Sequence, residues 1–405
     1  MVGEVDVKVW EAQPGGSYGL NFWWLFCSTF ALNFSANLFV LYPLQLVTFG
    51  ASSTAIGAIV GAWSLASLCA RPGAGPLIDR IGRRNTATRA LALDVLVLAL
   101  YTPIHSIGWQ VYAVRALHGA VEGTARVALF ALVYDILPTG REGRAMATFS
   151  LCGMGPAAVA PYFGEILIRQ FGFGAFFAAI IVVTAASALL VSKLPVEQLS
   201  RHSTHPASSA DNARGYEQLL VDSRLLPLWI VTLLFALAIS SRLSFVATFA
   251  YQRGVTQVGT YFAIYAVFGM AVRVFTGRLM DRVGLERILV ASMIVLAIGL
   301  GLIGAAGHVE MLDAAGVVGG IGHGLLYPAL SAMVIARTEM GATGRSSSIY
   351  QSLYDIGAMV GPYGLGAIAG LIGYAPMFVV SGALALVGAL FFLAVDPNAG
   401  IRRAV

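Results

Sequence analysis

Twelve apolar runs, most of them near twenty residues and set apart by short polar stretches, constrain this chain more than any other feature. A helix of about 20 apolar residues matches a bilayer hydrocarbon core about 30 Å thick. Backbone groups in lipid must be satisfied within their own segment, which predicts helices over 21–47, 54–78, 87–104, 109–137, 146–168, 174–194, 225–249, 257–279, 288–306, 312–336, 346–370 and 375–395. A transmembrane barrel needs alternating segments of about ten residues, and these runs neither alternate nor stay that short. With 58% hydrophobic and 11% charged residues, the chain has too little polar surface for a water-soluble exterior of this size. The expected class is an all-α membrane protein of twelve transmembrane helices in two six-helix bundles.

The charges orient the spans. If the N-terminus is cytoplasmic, every Lys and Arg outside the spans falls on the cytoplasmic side except Arg169 and Arg253, while Arg71, Arg115, Arg126, Arg242 and Arg273 lie within spans. This satisfies the positive-inside rule with both termini cytoplasmic, and an odd number of spans would scramble it. Glu4, Asp6 and Glu11 precede the first run, which is wrong for the basic front of a secretory signal. The expected division is a tail at 1–20, a first bundle at 21–194, a polar linker at 195–224, a second bundle at 225–395 and a tail at 396–405. A net charge of +5 without a basic patch interleaved with aromatics excludes nucleic acid as a partner; the lipid bilayer and a small-molecule solute are the expected ones, for a monomer. Cys27, Cys69 and Cys152 sit in apolar runs without CxxC spacing, so no disulfide framework and no metal site is expected. No Walker loop, HExxH or GxSxG occurs, which argues against ATP hydrolysis and against an enzyme; the expected energy source is a proton gradient, with no bound cofactor.

The two halves repeat. RPGAGPLIDRIG at 71–82 aligns with RVFTGRLMDRVG at 273–284, so that Arg71, Gly75, Asp79, Arg80 and Gly82 recur as Arg273, Gly277, Asp281, Arg282 and Gly284. Further on, Gly119 and Gly123 recur as Gly320 and Gly324, and Gly155-Pro156 as Gly361-Pro362. Six-helix halves in the same orientation imply an axis along the membrane normal and alternating access at a site between them.

On these residues the chain resembles the major facilitator superfamily. GPLIDRIGRR at 75–84 is similar to the superfamily's loop signature G-x-x-x-D-R-x-G-R-R, and the second copy loses the basic pair. RALHGAVEG at 115–123 resembles the fourth-helix pattern of proton-driven exporters, and GMGPAAVAP at 153–161 the Gly-Pro antiporter motif, although the paired glycines after it are absent. The seventh-to-eighth region looks like the branch holding sugar-efflux and metallophore exporters. Physically, Gly75, Asp79, Arg80, Gly82, Arg83 and Arg84, with Asp281 and Arg282, form a candidate latch. The Asp–Arg pairs can bridge the cytoplasmic seam, while Gly75 and Gly82 permit close approach and a tight turn.

Ionisable groups inside a span cost at least a few kcal/mol and point to function. Arg115, His118, Glu122 and Arg126 are spaced to share one face of the fourth helix. A carboxylate between two arginines stays ionised, and one that loses them in an apolar setting takes up a proton. Glu122 is thus the candidate proton carrier, tuned by Arg115 and Arg126 with His118 as relay; the alternative is a structural charge cluster. Asp355 in the eleventh helix, a second candidate for proton coupling, shares a face with Ser348 and Gln351, and Arg242 is its expected partner in an ion pair that is either substrate-gated or structural; Asp94 is a weaker candidate. Asn33, Asn37, Arg242, His323, Tyr327 and Gln351 are candidate cavity residues. Arg71 and Arg273 are expected to snorkel or latch rather than touch substrate.

Three readings follow: a proton-coupled exporter of a drug, sugar or metallophore-like solute in a bacterial cytoplasmic membrane; an uptake symporter in which Arg115, Arg126 or Arg242 holds an organic anion; and a receptor or scaffold that has kept the fold without turnover.

Overall fold

A computed structural model describes residues 19–136, 142–194, 209–255, 257–339 and 341–396. The expected tails at 1–18 and 397–405 and the linker stretch 195–208 lie outside the described residues. The helices are α1 (Leu20–Leu38), α2 (Tyr42–Thr48), α3 (Ser53–Ile81), α4 (Arg83–Ala99), α5 (Trp109–Ile136), α6 (Glu142–Ser192), α7 (Ser209–Val221), α8 (Leu226–Gln252), α9 (Val258–Val283), α10 (Leu285–Ala305), α11 (Val309–Arg337), α12 (Thr343–Ile372) and α13 (Tyr374–Val395). No strand occurs among the described residues.

Ten of these stretches are long and apolar enough to cross a membrane. Among the described residues the helices nonetheless supply twelve spans. α4 falls short at 17 residues, with Arg83, Arg84, Arg89 and Asp94 diluting its apolar character. α6 runs for 51 residues and breaks at Gly172, whose φ of 76° lets it turn and cross again. α1 and α2 are joined by a single 3-10 turn, Phe39–Leu41, and count as one crossing. The linker was expected to be a plain polar stretch, and its described part instead carries a helix. α7 docks on the start of α8, where Trp229 Nε1 donates to the Leu219 carbonyl at 3.0 Å. Beside it Arg224 pairs with Asp222 at 2.8 Å and Glu339 at 3.2 Å, and its hydrogen bonds hold the Asp222 carboxyl below the usual carboxylate range.

The internal repeat is visible as packing. Helices cross closely where small residues let backbones approach. A Cβ on Gly119 would lie 2.1 Å from the Trp63 carbonyl oxygen, and Gly123 faces Ser67; in the second half Gly320 faces the Tyr265 carbonyl at 2.5 Å and Gly324 that of Gly269, also at 2.5 Å. Gly82 and Gly284, at φ 84° and 92°, turn the chain at matching points between α3 and α4 and between α9 and α10. Adding a methyl group at Gly119 forces backbone apart, and overpacking of this kind costs about 1–3 kcal/mol. Gly119→Ala is therefore expected to lower the thermal midpoint of the detergent-purified protein. Gly75→Ala, at a position with nothing within 4 Å, leaves that midpoint unchanged or raises it. Equal midpoints for wild type and Gly119→Ala would contradict this packing.

The seam between bundles is made by α3 against α12 and α6 against α9. Towards the Gly50 turn it closes tightly: Gly57 lies against the Pro362 carbonyl, Gly366 against that of Ser53, and the Gly259 amide donates to the Glu165 carboxylate. Arg71 to Asp355 and Arg273 to Met154 are the cross-seam contacts that lie towards the Gly82 turn. Beyond them Gly75 and Gly277 have nothing within 4 Å, and Asp79, Arg80, Asp281 and Arg282 are exposed.

Candidate functional site

α5 places Glu122 at the centre of a buried polar cluster between α1, α3 and α4. Its side chain is 2% exposed. Oε1 accepts from Arg126 Nε at 2.9 Å and Nη2 at 2.5 Å, as the i, i+4 spacing allows. Oε2 accepts from Trp63 Nε1 at 3.0 Å and lies 3.3 Å from His118 Nε2. Arg126 Nη1 reaches on to Asn33 Oδ1 at 2.9 Å, tying the cluster to α1. His118 Nδ1 is 3.1 Å from the Tyr101 hydroxyl and 3.4 Å from Arg115 Nη1. A guanidinium has no acceptor, so Nδ1 accepts, and the ring's proton sits on Nε2 facing Glu122. The same Nε2 is 3.7 Å from Asp94 Oδ1, and Asp94 is 1% exposed.

This arrangement corrects one expectation. Arg115 does not flank Glu122: seven residues along a helix is about 10 Å, too far for a second guanidinium on one carboxylate. Arg115 instead lies over the Phe39 ring at 4.9 Å and near Tyr42 and Trp63, reaching Glu122 only through His118.

The expected partner of Asp355 is also corrected. Asp355 pairs with Arg71 of α3, across the seam, and accepts from Gln351 Nε2 at 3.1 Å. The Gln351 Oε1 accepts in turn from the Tyr327 hydroxyl at 3.0 Å. Arg242 points elsewhere, its guanidinium 4.0 Å from the Tyr265 ring centroid. Arg71, read as a snorkelling or latching residue, thus holds the second bundle to the first.

The expected loop latch is not seen. Among the described residues Asp79, Arg80, Asp281 and Arg282 make no ion pair, and Gly75 approaches no backbone. Arg83 pairs with Asp135 at the end of α5, and Arg84 donates to the Ser192 carbonyl at the end of α6. Both contacts stay within the first half, so they brace the loop and do not bridge the seam.

A cavity of about 150 Å³ lies between the bundles. Asn37, Gly153, Met154 and Ala157 line it from the first, and Arg242, Phe262, Tyr265, Arg273 and His323 from the second. Asn37, Arg242 and His323 were expected there. Asn33, Tyr327 and Gln351 are drawn instead into the two hydrogen-bonded clusters on either side. Arg273 was expected to snorkel, but the packing of α9 on α6 turns it inward, with Nη1 3.3 Å from Met154 Sδ. Trp63 and Tyr265 escaped the sequence reading because an aromatic in an apolar run gives no signal of its own; their placement 202 residues apart in the repeat is the one hint.

Two pseudo-symmetric six-helix bundles with a charged cavity at their seam are the architecture of a secondary transporter. The model of the Major Facilitator Superfamily matches residues 24–285 and 228–404. The multidrug resistance protein MdtG of Citrobacter koseri is 28% identical over 91% of this chain and 92% of its own length. That of Serratia proteamaculans is 28% identical over 91% of each. In fold, the nucleoside transporter NupG superposes with a TM-score of 0.81 at 11% identity, over 93% of this chain and 99% of that one. The human organic anion transporter MFSD10 gives 0.64 at 16% identity, over 91% and 98%. The chain belongs to the Major Facilitator Superfamily. It is a multi-pass membrane transporter and not an enzyme.

Proposed function

We propose that this transporter exports a small organic solute by alternating access, driven by protons entering through Glu122. The observation that carries the reading is a carboxylate buried in the span whose hydrogen-bonded neighbour, Arg126, is one-third exposed. A change of conformation that draws Arg126 away leaves an unpaired buried carboxylate, which lowers its energy by binding a proton. Asn33 on α1 accepts from Arg126, and Asn37 one turn on lines the cavity, so a solute that displaces α1 there moves the cation that guards Glu122. That gives solute and proton a shared mechanical link. The Arg71–Asp355 pair is the gate on the Gly82 side, parting as that face opens.

Export, rather than uptake, is supported by the fourth- and fifth-helix motifs and by relatives that are multidrug resistance proteins. The basic loops favour a Gly82 face turned to the cytoplasm of a bacterial cell, with both termini inside. The protein works as a monomer and needs no bound cofactor beyond the proton gradient.

The test is proton movement in liposomes carrying a pH-sensitive dye, with drug, sugar and metal-chelator pools added in turn. Solute-evoked proton flow opposite to the solute is the expected result. Flow in the same direction replaces export with symport, and no solute-evoked proton movement from any pool removes the proton-coupled reading. Asp355→Asn, which loosens the gate without touching Glu122, is expected to keep coupling while changing the rate.

A further inference from the structure

The cavity at the seam carries cations without counter-charges. Arg242 is 8% exposed, and its Nε has no hydrogen-bond partner among the described residues. Its guanidinium lies 4.0 Å from the Tyr265 centroid and 5.7 Å from that of Phe262. Among the described residues the Nε of Arg273 is likewise unpartnered and buried; its Nη1 meets the thioether of Met154, and the guanidinium lies 5.9 Å from the Tyr327 centroid. Arginines within a span ordinarily find a carboxylate. Here Arg71 has Asp355 and Arg126 has Glu122, so the two nearby acids are occupied. None of the residues lining the cavity is acidic.

Two guanidiniums held over aromatic rings in a largely apolar cavity make a strong anion receptor, because the rings hold the cations while leaving N–H donors unused. The rest of the wall, including Val40, Ala157, Leu243 and Phe262, is apolar. We propose that this cavity binds a compact organic anion, with Arg242 and Arg273 taking its carboxylate, sulfonate or phosphonate group and the apolar wall taking its body. The inference rests on the transport reading for the cavity being the solute site. It narrows the solute to organic acids, and a cationic solute is disfavoured by like charge on both walls.

Calorimetric titration of the full chain in detergent micelles at neutral pH tests this with three probes of one skeleton: 1-naphthoate, 1-naphthamide and 1-naphthylmethylamine. The acid is expected to bind at least about tenfold more tightly than the amide, and the amine weakest. Arg242→Gln and Arg273→Gln each bring the acid down to the affinity of the amide while leaving amide binding in place, which separates loss of charge from loss of fold. Amide or amine binding equal to the acid in the wild type overturns the proposal, as does absence of binding for all three or a preference that survives both substitutions. The titration needs no gradient. A charge preference without solute-evoked proton flow would therefore overturn the export reading alone, and proton-coupled export of cations without the preference would overturn this one alone.

Discussion

Glu122→Gln is expected to abolish uphill transport while leaving the protein folded and able to exchange solute down its gradient. The amide keeps the carboxylate's shape and one oxygen, which can still accept from Arg126 or from Trp63 Nε1. What it loses is the capacity to take and release a proton. Each pH unit across the membrane is worth about 1.4 kcal/mol per coupled proton, or a roughly tenfold solute ratio. In liposomes with such a gradient, wild type should build that ratio and Glu122→Gln should settle near one. A variant that still concentrates solute would remove Glu122 as carrier. Asp94→Asn then becomes the informative companion, since Asp94 sits on the other side of the same His118 nitrogen, at 3.7 Å. Loss of coupling in Asp94→Asn with retention in Glu122→Gln moves the proton site to α4.

Gly57→Val is expected to hold the transporter open on the face that the structure shows closed, and to reduce transport to background. A Cβ at Gly57 would lie 2.1 Å from the Pro362 carbonyl oxygen and 3.0 Å from its carbon, against 3.4–4 Å for ordinary contact. Both partners are backbone of long helices in different bundles, so neither side can give by a rotamer change. The cheapest relief is for the bundles to part, which is the alternating-access movement itself. The contrast with Gly119 is instructive: there the close approach to Trp63 is inside one bundle, and the added methyl strains the fold rather than its conformational balance. Cysteine labelling reads the difference. With Cys27, Cys69 and Cys152 replaced by serine, Ser53→Cys should react faster with a membrane-impermeant maleimide in the Gly57→Val background, and no faster in the Gly119→Ala background. Unchanged labelling in Gly57→Val would mean the seam yields locally and the bundles stay where they are.

Much of this protein was legible before any coordinates. Span positions follow from hydropathy because the bilayer requires them, and the one span the apolar criterion misses, α4, is the one whose arginines begin just after Gly82. The shared face of His118, Glu122 and Arg126 follows from helical spacing, a local geometry that tertiary structure can hardly change. The repeat pairs Gly119 with Gly320, 201 residues on, and both prove to sit at close crossings because close helix packing needs the smallest residue there.

What sequence could not carry is which helix each polar face meets. Arg71 and Asp355 are 284 positions apart, on helices that touch only because the bundles close along α3 and α12. No periodicity within either helix encodes that meeting, and the nearer choice, Arg242, was wrong for that reason. Trp63, Asn33 and Asp94 joined Glu122 for the same cause: the rotation of α3, α1 and α4 about their axes is set by packing against neighbours. Asp79 and Asp281, expected to latch, are exposed instead, because here α3 and α9 leave nothing within reach of their ends. The sequence by itself determined the membrane, the two-fold repeat and the buried charges; only the tertiary structure decided which charges meet and which stay unpaired, because those distances are set by how the two bundles rest on each other.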